Sequence, residues 1–441
     1  MKKWMIIGCT IWFWAGVALA QQEKSTPFSD TLRALVEESP IFRQGFTGFA
    51  LYDPQAEKWL YRWQANKYFT PASNTKILTL FAVEQILQGR MPLLHYQDYG
   101  DTLKCWGTGD PMLLNPEFVA FDTLAQWLRQ RQETTWWVAD GHFLDERYGE
   151  GWSWDDYPYG YQMEKAALPV YGNGVQITKA GHLAPIKAMP PYFQDRLGFE
   201  NGRFVSREEE RNIFTFSDRA LKAQTVDRTL PFRYDRHLLT ALLQDTFKVK
   251  VVALADTLPK AFRRELLEAP LPDTLLRQLM HDSDNFVAEQ LISLCSSRRY
   301  GFISTEQVLR YMRDTVLAFL PQPVDWVDGS GLSRYNQLSP SILVAVLDSL
   351  QRSMPQERLF NIFPSSDQGT LQGAYAAPEG ATHWLHAKTG TLRHTHCLSG
   401  YIVQANGRLL VFSFMHNNYP GPIRELKREM ERILRWIYQA N

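Results

Sequence analysis

Several features that would assign this chain to a class at once are missing. Cysteine is scarce, four in 441 residues. Once an N-terminal leader carrying Cys9 is set aside, Cys105, Cys295 and Cys397 remain. They are an odd, widely spaced set that is no disulfide framework. One pair among the three is compatible with the sequence, which does not name it. Net charge is absent too: 47 Lys and Arg stand against 47 Asp and Glu. Neither nucleic acid nor an anionic membrane surface is therefore favoured as an electrostatic partner. There is no internal repeat, no low-complexity tract, and no G-x-S-x-G run of the kind that seats the nucleophile of α/β-hydrolases.

What is present describes a folded, exported protein. With 45% hydrophobic and 13% aromatic residues, the chain can bury sizeable cores, and its length suits two or three domains. The opening MKKWMIIGCTIWFWAGVALAQQ has a basic start, an apolar run and the small-residue triplet Ala18-Leu19-Ala20. This reads as a secretory signal peptide, residues 1–20, cut after Ala20. It is too short and wrongly flanked for a membrane span. A lipoprotein box at Ile6-Ile7-Gly8-Cys9 ranks second, because it would strand another apolar segment behind it. A periplasmic location follows as an expectation, with peripheral membrane contact left open.

Ser29–Ser39 predicts a short helix, and Gly48–Asp53 with Lys58–Gln64 a β-hairpin around Pro54-Gln55-Ala56-Glu57. Thr70 fits an N-cap with Pro71 at the first helical position. The helix that follows carries Ile77, Leu78, Leu80, Phe81, Val83, Ile86 and Leu87, apolar nearly all round, so it is predicted to be buried and to stop near Gly89. From about Met91 to Glu265 aromatics, Gly and Pro crowd together, which predicts an inserted, mainly β region over residues 90–266. Helical texture returns at Leu275–Leu294. The C-terminal part predicts at least two strands joined at Ala405-Asn406-Gly407 and a final helix with a stripe of Ile423, Leu426, Met430, Ile433, Leu434 and Ile437.

Three short motifs carry chemistry. Ser73 and Lys76 stand at i and i+3, on one helical face. A serine is a poor nucleophile until a base takes its proton, and a lysine desolvated in a buried helix can be neutral near pH 7. Ser283-Asp284-Asn285 precedes a helix expected near Phe286. Its hydroxyl and amide can both face a cleft, although such a cluster is ordinarily only an N-cap. Lys388-Thr389-Gly390, followed by Thr391, lies in a predicted strand. A cation and a hydroxyl on a strand edge suit a carboxylate, and the glycine admits a closely approaching backbone. Each motif alone is weak.

In this order S-x-x-K, S-x-N and K-T-G form the signature of penicillin-binding proteins and serine β-lactamases. The chain resembles the class C low-molecular-mass penicillin-binding proteins, serine D-Ala-D-Ala carboxypeptidases that can also be endopeptidases. GTGDPML (Gly107–Leu113), GWSWDDYPYGY (Gly151–Tyr161) and VDGSGLSRYNQLSP (Val327–Pro340) support that subgroup, as does the long stretch between Lys76 and Ser283. The resemblance implies an α+β fold: a penicillin-recognising, β-lactamase-like transpeptidase domain with an antiparallel sheet and helices, made of residues 21–89 and 267–441, interrupted by the insertion. It implies that Ser73 is acylated by a peptide ending in D-Ala-D-Ala, with Lys76 as base, Ser283 passing the proton to the leaving amine and Asn285 holding the acyl-side amide. Lys388 and Thr389 would take the terminal carboxylate, Gly390 would allow close approach, and the N–H groups of Ser73 and Thr391 would form the oxyanion hole. Peptidoglycan stem peptides are the implied substrates and β-lactams the implied covalent inhibitors. No cofactor and no metal is expected.

Weaker signals stand beside these. His386, His394, His396 and Cys397 cluster near Lys388, but no carboxylate or second ligand pair has fitting spacing for zinc. Asp155 and Asp156 lie among Trp152, Trp154, Tyr157 and Tyr159. The plain reading is an aromatic loop between domains; the functional one makes Asp156 a substrate-binding residue for a charged stem-peptide side chain. A β-lactamase is the rival enzyme, but no E-x-x-L-N run is present. A non-catalytic cell-wall binder is the rival outside enzymes, against which the intact Ser73, Lys76, Ser283 and Lys388 argue.

Overall fold

A computed structural model of the chain describes residues 26–260, 263–378, 381 and 383–440. The signal peptide expected at 1–20, with Cys9, lies outside the described residues. The site-bearing part is built on a five-stranded antiparallel sheet whose strands run, in spatial order, Leu385–Leu392, Thr395–Val403, Leu409–Asn417, Phe46–Asp53 and Lys58–Trp63. The predicted hairpin is therefore continuous with the C-terminal strands, Phe46 standing opposite Asn417 and Tyr52 opposite Val411. Gly407, at φ +84°, closes the predicted turn between the last two strands, where Arg408 N–H donates to Asn406 Oδ1 at 3.0 Å.

Both faces of the sheet's interior are covered, and the strands Phe46–Asp53 and Leu409–Asn417 accordingly read as mostly apolar runs. Successive side chains of a strand point to opposite faces, and the packing divides on that rule. Phe49, Leu51, Leu398, Ile402, Leu410, Phe412 and Phe414 pack with the terminal helices Pro27–Glu37 and Ile423–Gln439. Ala50, Cys397, Tyr401, Val411 and Met415 belong to a second core with the helices Lys76–Leu87, Asn285–Tyr300 and Pro340–Ser353. In the last helix the predicted stripe is buried at Leu426, Met430, Ile433, Leu434 and Ile437. Burial of such a side chain contributes about 1.5–3 kcal/mol, which fixes that helix's rotation.

The helix after Ser73 departs from expectation at its start. Ala72–Thr75 forms a tight 3₁₀ turn, and the α-helix proper runs Lys76–Leu87. Thr70 does not cap it. Thr70 N–H donates instead to Asn417 Oδ1 at 2.8 Å, and Asn417 Nδ2 donates to Thr70 O at 3.1 Å, so the sheet holds this turn. Ala72 sits at φ +49°, a left-handed conformation that costs an L-residue roughly 1–2 kcal/mol. The helix ends as predicted, with Gln88 and Gly89 at φ +50° and +77°.

The insertion is rich in strands but also carries helices. A five-stranded sheet orders as Lys250–Leu254, Thr135–Ala139, Thr102–Gly107, Arg90–Asp98 and Glu265–Pro270, and two three-stranded sheets lie within the intervening chain. Helices Thr123–Arg129, Asp218–Lys222 and Arg236–Phe247 accompany them. The strand Glu265–Pro270 pairs with Arg90–Asp98, so this sheet spans the 266/267 junction expected from sequence. Cys105, Cys295 and Cys397 are all buried and free. Among the described residues no helix is long and apolar enough to cross a membrane.

Candidate active site

The three motifs converge. Lys76, with no accessible surface, sends Nζ to Ser73 Oγ at 3.0 Å, to Asn285 Oδ1 at 2.6 Å and to the Ser330 carbonyl at 2.7 Å. Three acceptors satisfy its three ammonium donors. Burial is the largest influence on Lys76 and pushes its pKa down to about 8, against the opposing pull of Asp328, Glu289 and Asp284. An amine so placed, bonded to a half-buried serine hydroxyl, has the geometry of a base beside a nucleophile, with a free-base fraction that grows as pH approaches 8.

The second motif owes its aim to backbone geometry. A π-helical turn, Gln278–Asp282, ends at Ser283, which sits at φ +59°; Asp284 then caps the next helix by accepting from Val287 N–H at 3.0 Å. The middle residue of the motif thus serves the helix, while Ser283 and Asn285 serve the cleft. Asn285 Oδ1 accepts from Lys76, and its Nδ2 donates to the Tyr161 carbonyl at 2.8 Å. The third motif lies on the edge strand Leu385–Leu392. Lys388 Nζ donates to Ser283 Oγ at 2.8 Å and to its neighbour's carbonyl, Thr389 O, at 2.9 Å. Burial first, and the charge of Lys76 second, lower the Lys388 pKa well below the ordinary lysine value. An arriving carboxylate acts in the opposite sense and favours the charged form.

Gly390 has a steric reason. A Cβ there would lie 2.4 Å from Pro71 O, 2.9 Å from Asn74 N and 3.0 Å from Ser73 N, all backbone atoms that cannot turn aside. The strand and the serine turn therefore touch through bare backbone. Asn74 locks the pair, its Nδ2 donating to Lys388 O at 2.8 Å while its Oδ1 accepts from Ser399 Oγ at 2.6 Å. Thr389 Oγ1 donates to Thr370 Oγ1 at 2.7 Å, and Thr391 Oγ1 is bonded to His396 Nδ1 at 2.8 Å.

Other groups were not singled out from sequence. The Val327–Pro340 stretch crosses behind the serine turn. Gly331, at φ +83°, passes so close that a Cβ would meet Ala72 O at 2.0 Å. Ser330 offers its carbonyl to Lys76, and buried Asp328 and Glu289 stand near the same amine. The stretch supports the family resemblance, but nothing in its spacing identifies a carbonyl as an anchor. Thr370 had no signal beyond a Gly-flanked polar run. The histidines take structural places: buried His396 lies between Thr391 and Tyr375, and His394 Nδ1 bonds to Tyr419 O at 3.0 Å in a turn. Asp156 is partly exposed and hydrogen-bonds the Tyr161 side chain. Since the Tyr161 carbonyl accepts from Asn285, the aromatic loop adjoins the site.

Such an arrangement on such a fold belongs to the penicillin-recognising serine peptidases. A profile of the D-Ala-D-Ala carboxypeptidase 3 (S13) family matches residues 28–192 and 234–437, and the chain belongs to that family. It is similar to D-alanyl-D-alanine carboxypeptidase DacB of Haemophilus influenzae, 29% identical over 165 residues, which are 34% of this chain and 32% of the relative. It is also similar to carboxypeptidase DacB of Mycolicibacterium smegmatis, 35% identical over 161 residues, 33% of this chain and 34% of that one. The matched stretch thus spans about a third of each curated relative. In three dimensions the crystal structure of penicillin binding protein 4 (dacB) from Haemophilus influenzae superposes with a TM-score of 0.71 at 19% identity, covering 93% of this chain and 99% of that chain. The fold is the expected α+β one.

Proposed function

We propose that this protein is an exported serine DD-peptidase that cleaves the terminal D-Ala-D-Ala or crosslink bonds of peptidoglycan through an acyl-enzyme on Ser73. The observation that carries this reading is the fully buried Lys76 amine, 3.0 Å from Ser73 Oγ with its pKa lowered to about 8. In the acylation step Ser73 Oγ bonds to the carbonyl carbon between the two D-Ala residues. Its proton passes to Lys76 and is carried on through Ser283, hydrogen-bonded to Lys388, to the departing amine as the C–N bond breaks, which leaves Lys76 neutral and Ser283 with its hydroxyl proton. Water then attacks the ester and frees Ser73. Asn285 would hold the acyl-side amide, and Lys388 and Thr389 the terminal carboxylate. The N–H groups of Ser73 and Thr391 would stabilise the oxyanion, a role worth about 10²–10³-fold per donor. Family membership and the printed names of the relatives support this substrate class; the signal-like N-terminus supports a periplasmic location.

The test is direct. Purified protein should release D-Ala from muropeptides and form a stable adduct with benzylpenicillin, seen by intact mass, that Ser73→Ala abolishes. An unmodified wild-type protein, or an adduct that survives the substitution, would sink the assignment. Hydrolysis of the β-lactam with rapid turnover would point to a β-lactamase instead.

Asp156 enters as a specificity residue. Its carboxylate, now bonded to Tyr161 beside the site, would pair with the free amine of a diamino stem residue. A partly desolvated, charge-assisted bond of about 1.5–3 kcal/mol corresponds to about ten- to over a hundred-fold in kcat/KM. Asp156→Asn should show that loss on peptides with a free side-chain amine and little on acetylated ones. Equal losses on both would leave the loop as a brace between domains.

A further inference from the structure

The lysine amine is anchored on the Ser330 carbonyl, and the same residue is gripped from its other end. Ser330 N–H donates to Glu289 Oε1 at 2.8 Å. Glu289 lies one helical turn beyond Asn285, so the helix that presents Asn285 to Lys76 also carries this carboxylate. It is buried, 1% exposed, and the Ser330 and Gly329 backbone stands against it. Glu289 also lines a cavity of about 880 Å³ to which none of Ser73, Lys76, Ser283 or Lys388 contributes.

We propose that Glu289 is a positioning residue for the serine–lysine pair: it holds the Ser330 peptide on which Lys76 Nζ rests, and its buried carboxylate acts on the same amine. This rests on the acyl-enzyme reading above. The charged groups around Glu289 come from every neighbouring element. Lys76 faces it from the serine helix, Asp328 from the loop that carries Ser330, and Lys165 from the segment across the cavity. Lys165 is itself paired with Asp145 at 3.0 Å, while Glu306 and Arg313 stand on the cavity's helical wall. Burial, then Asp328, raise the Glu289 pKa above the usual carboxylate range, with Lys165 and the Ser330 hydrogen bond opposing. Ionised Glu289 in turn raises the Lys76 pKa, so loss of its charge makes Lys76 a free base at lower pH.

Two variants separate grip from charge. Glu289→Gln keeps an acceptor for Ser330 N–H and removes the charge. Glu289→Asp keeps the charge and draws it back by one methylene, out of reach of Ser330. Acylation by a fluorescent penicillin, followed from pH 5.5 to 9.5, should give Glu289→Gln a plateau within about threefold of wild type. Its acid limb should move down by about half to one pH unit, so that below the midpoint it acylates about three- to tenfold faster relative to its own plateau. Glu289→Asp should keep the wild-type midpoint and lose about tenfold or more of the plateau, as expected when a catalytic group is misplaced by an ångström. A carboxylate with only a structural role would lower thermal stability in both variants and leave the pH midpoints together; that result overturns the proposal. So does loss of cooperative unfolding in both, which would make Glu289 a determinant of the fold. A wild-type protein that is never acylated overturns the enzymatic reading itself, and this one with it.

Discussion

Replacing Lys76 with alanine should lower the rate of Ser73 acylation by about 10²–10⁴-fold, the span that a positioned general base contributes. The buried amine is within hydrogen-bond reach of Ser73 Oγ. Because burial holds the Lys76 pKa at about 8, acylation by the wild-type protein should rise with pH through that value as the amine loses its proton. The residual rate of Lys76→Ala should lack this limb. The variant should still unfold cooperatively: it leaves Asn285 Oδ1 and the Ser330 carbonyl short of a donor, at a cost of about 1–3 kcal/mol each, but it also removes a desolvated cation. Intact-mass time courses across pH check both points. Acylation at the wild-type rate would show that another group deprotonates Ser73.

Gly390→Ala should be nearly as damaging, though it touches no titrating group. Its methyl would press on Pro71 O, Asn74 N and Ser73 N at 2.4–3.0 Å, closer than real Cβ contacts come. The strand must then move away from the serine turn, and the two N–H groups proposed to meet the oxyanion separate with it. A displacement near 1 Å is enough to cost about 10²-fold in rate. The loss should fall on acylation of good and poor substrates alike, with the Lys76 pH limb in place, since its anchors Asn285 and Ser330 lie outside the clash. An alanine variant with wild-type acylation would mean that the strand and the turn do not jointly define the site.

The motifs were legible because each is local. A lysine one helical turn after a serine, and a strand ending in Lys-Thr-Gly, are short-range patterns that survive folding unchanged. What surrounds them is not local. Thr70-Pro71 carries the ordinary mark of a capped helix start, yet the cap is displaced by Asn417 from the far end of the chain. Glu289 and Asp328 come from different segments and meet only around Lys76; no spacing announces that meeting. The helix Arg236–Phe247 buries Leu238, Leu239, Leu242 and Leu243 and is capped by Asp235, a regular pattern concealed by the strand-like, aromatic texture on either side. The terminal helix was plain because a single stripe decides it.

The hairpin that opens the sheet has a consequence for the order in which this molecule can be made. Its strand Phe46–Asp53 is synthesised long before its partner Leu409–Asn417. Until then one of its long edges stands without hydrogen bonds, a template for wrong pairing. The inserted sheet draws all its strands from Arg90 to Pro270 and does not wait for the C-terminal strands. Lys388 and its strand also arrive late. Ser73 therefore exists long before the cleft can form around it, and the growing chain cannot bring Ser73, Lys76 and Lys388 together until the strand Leu385–Leu392 has been made.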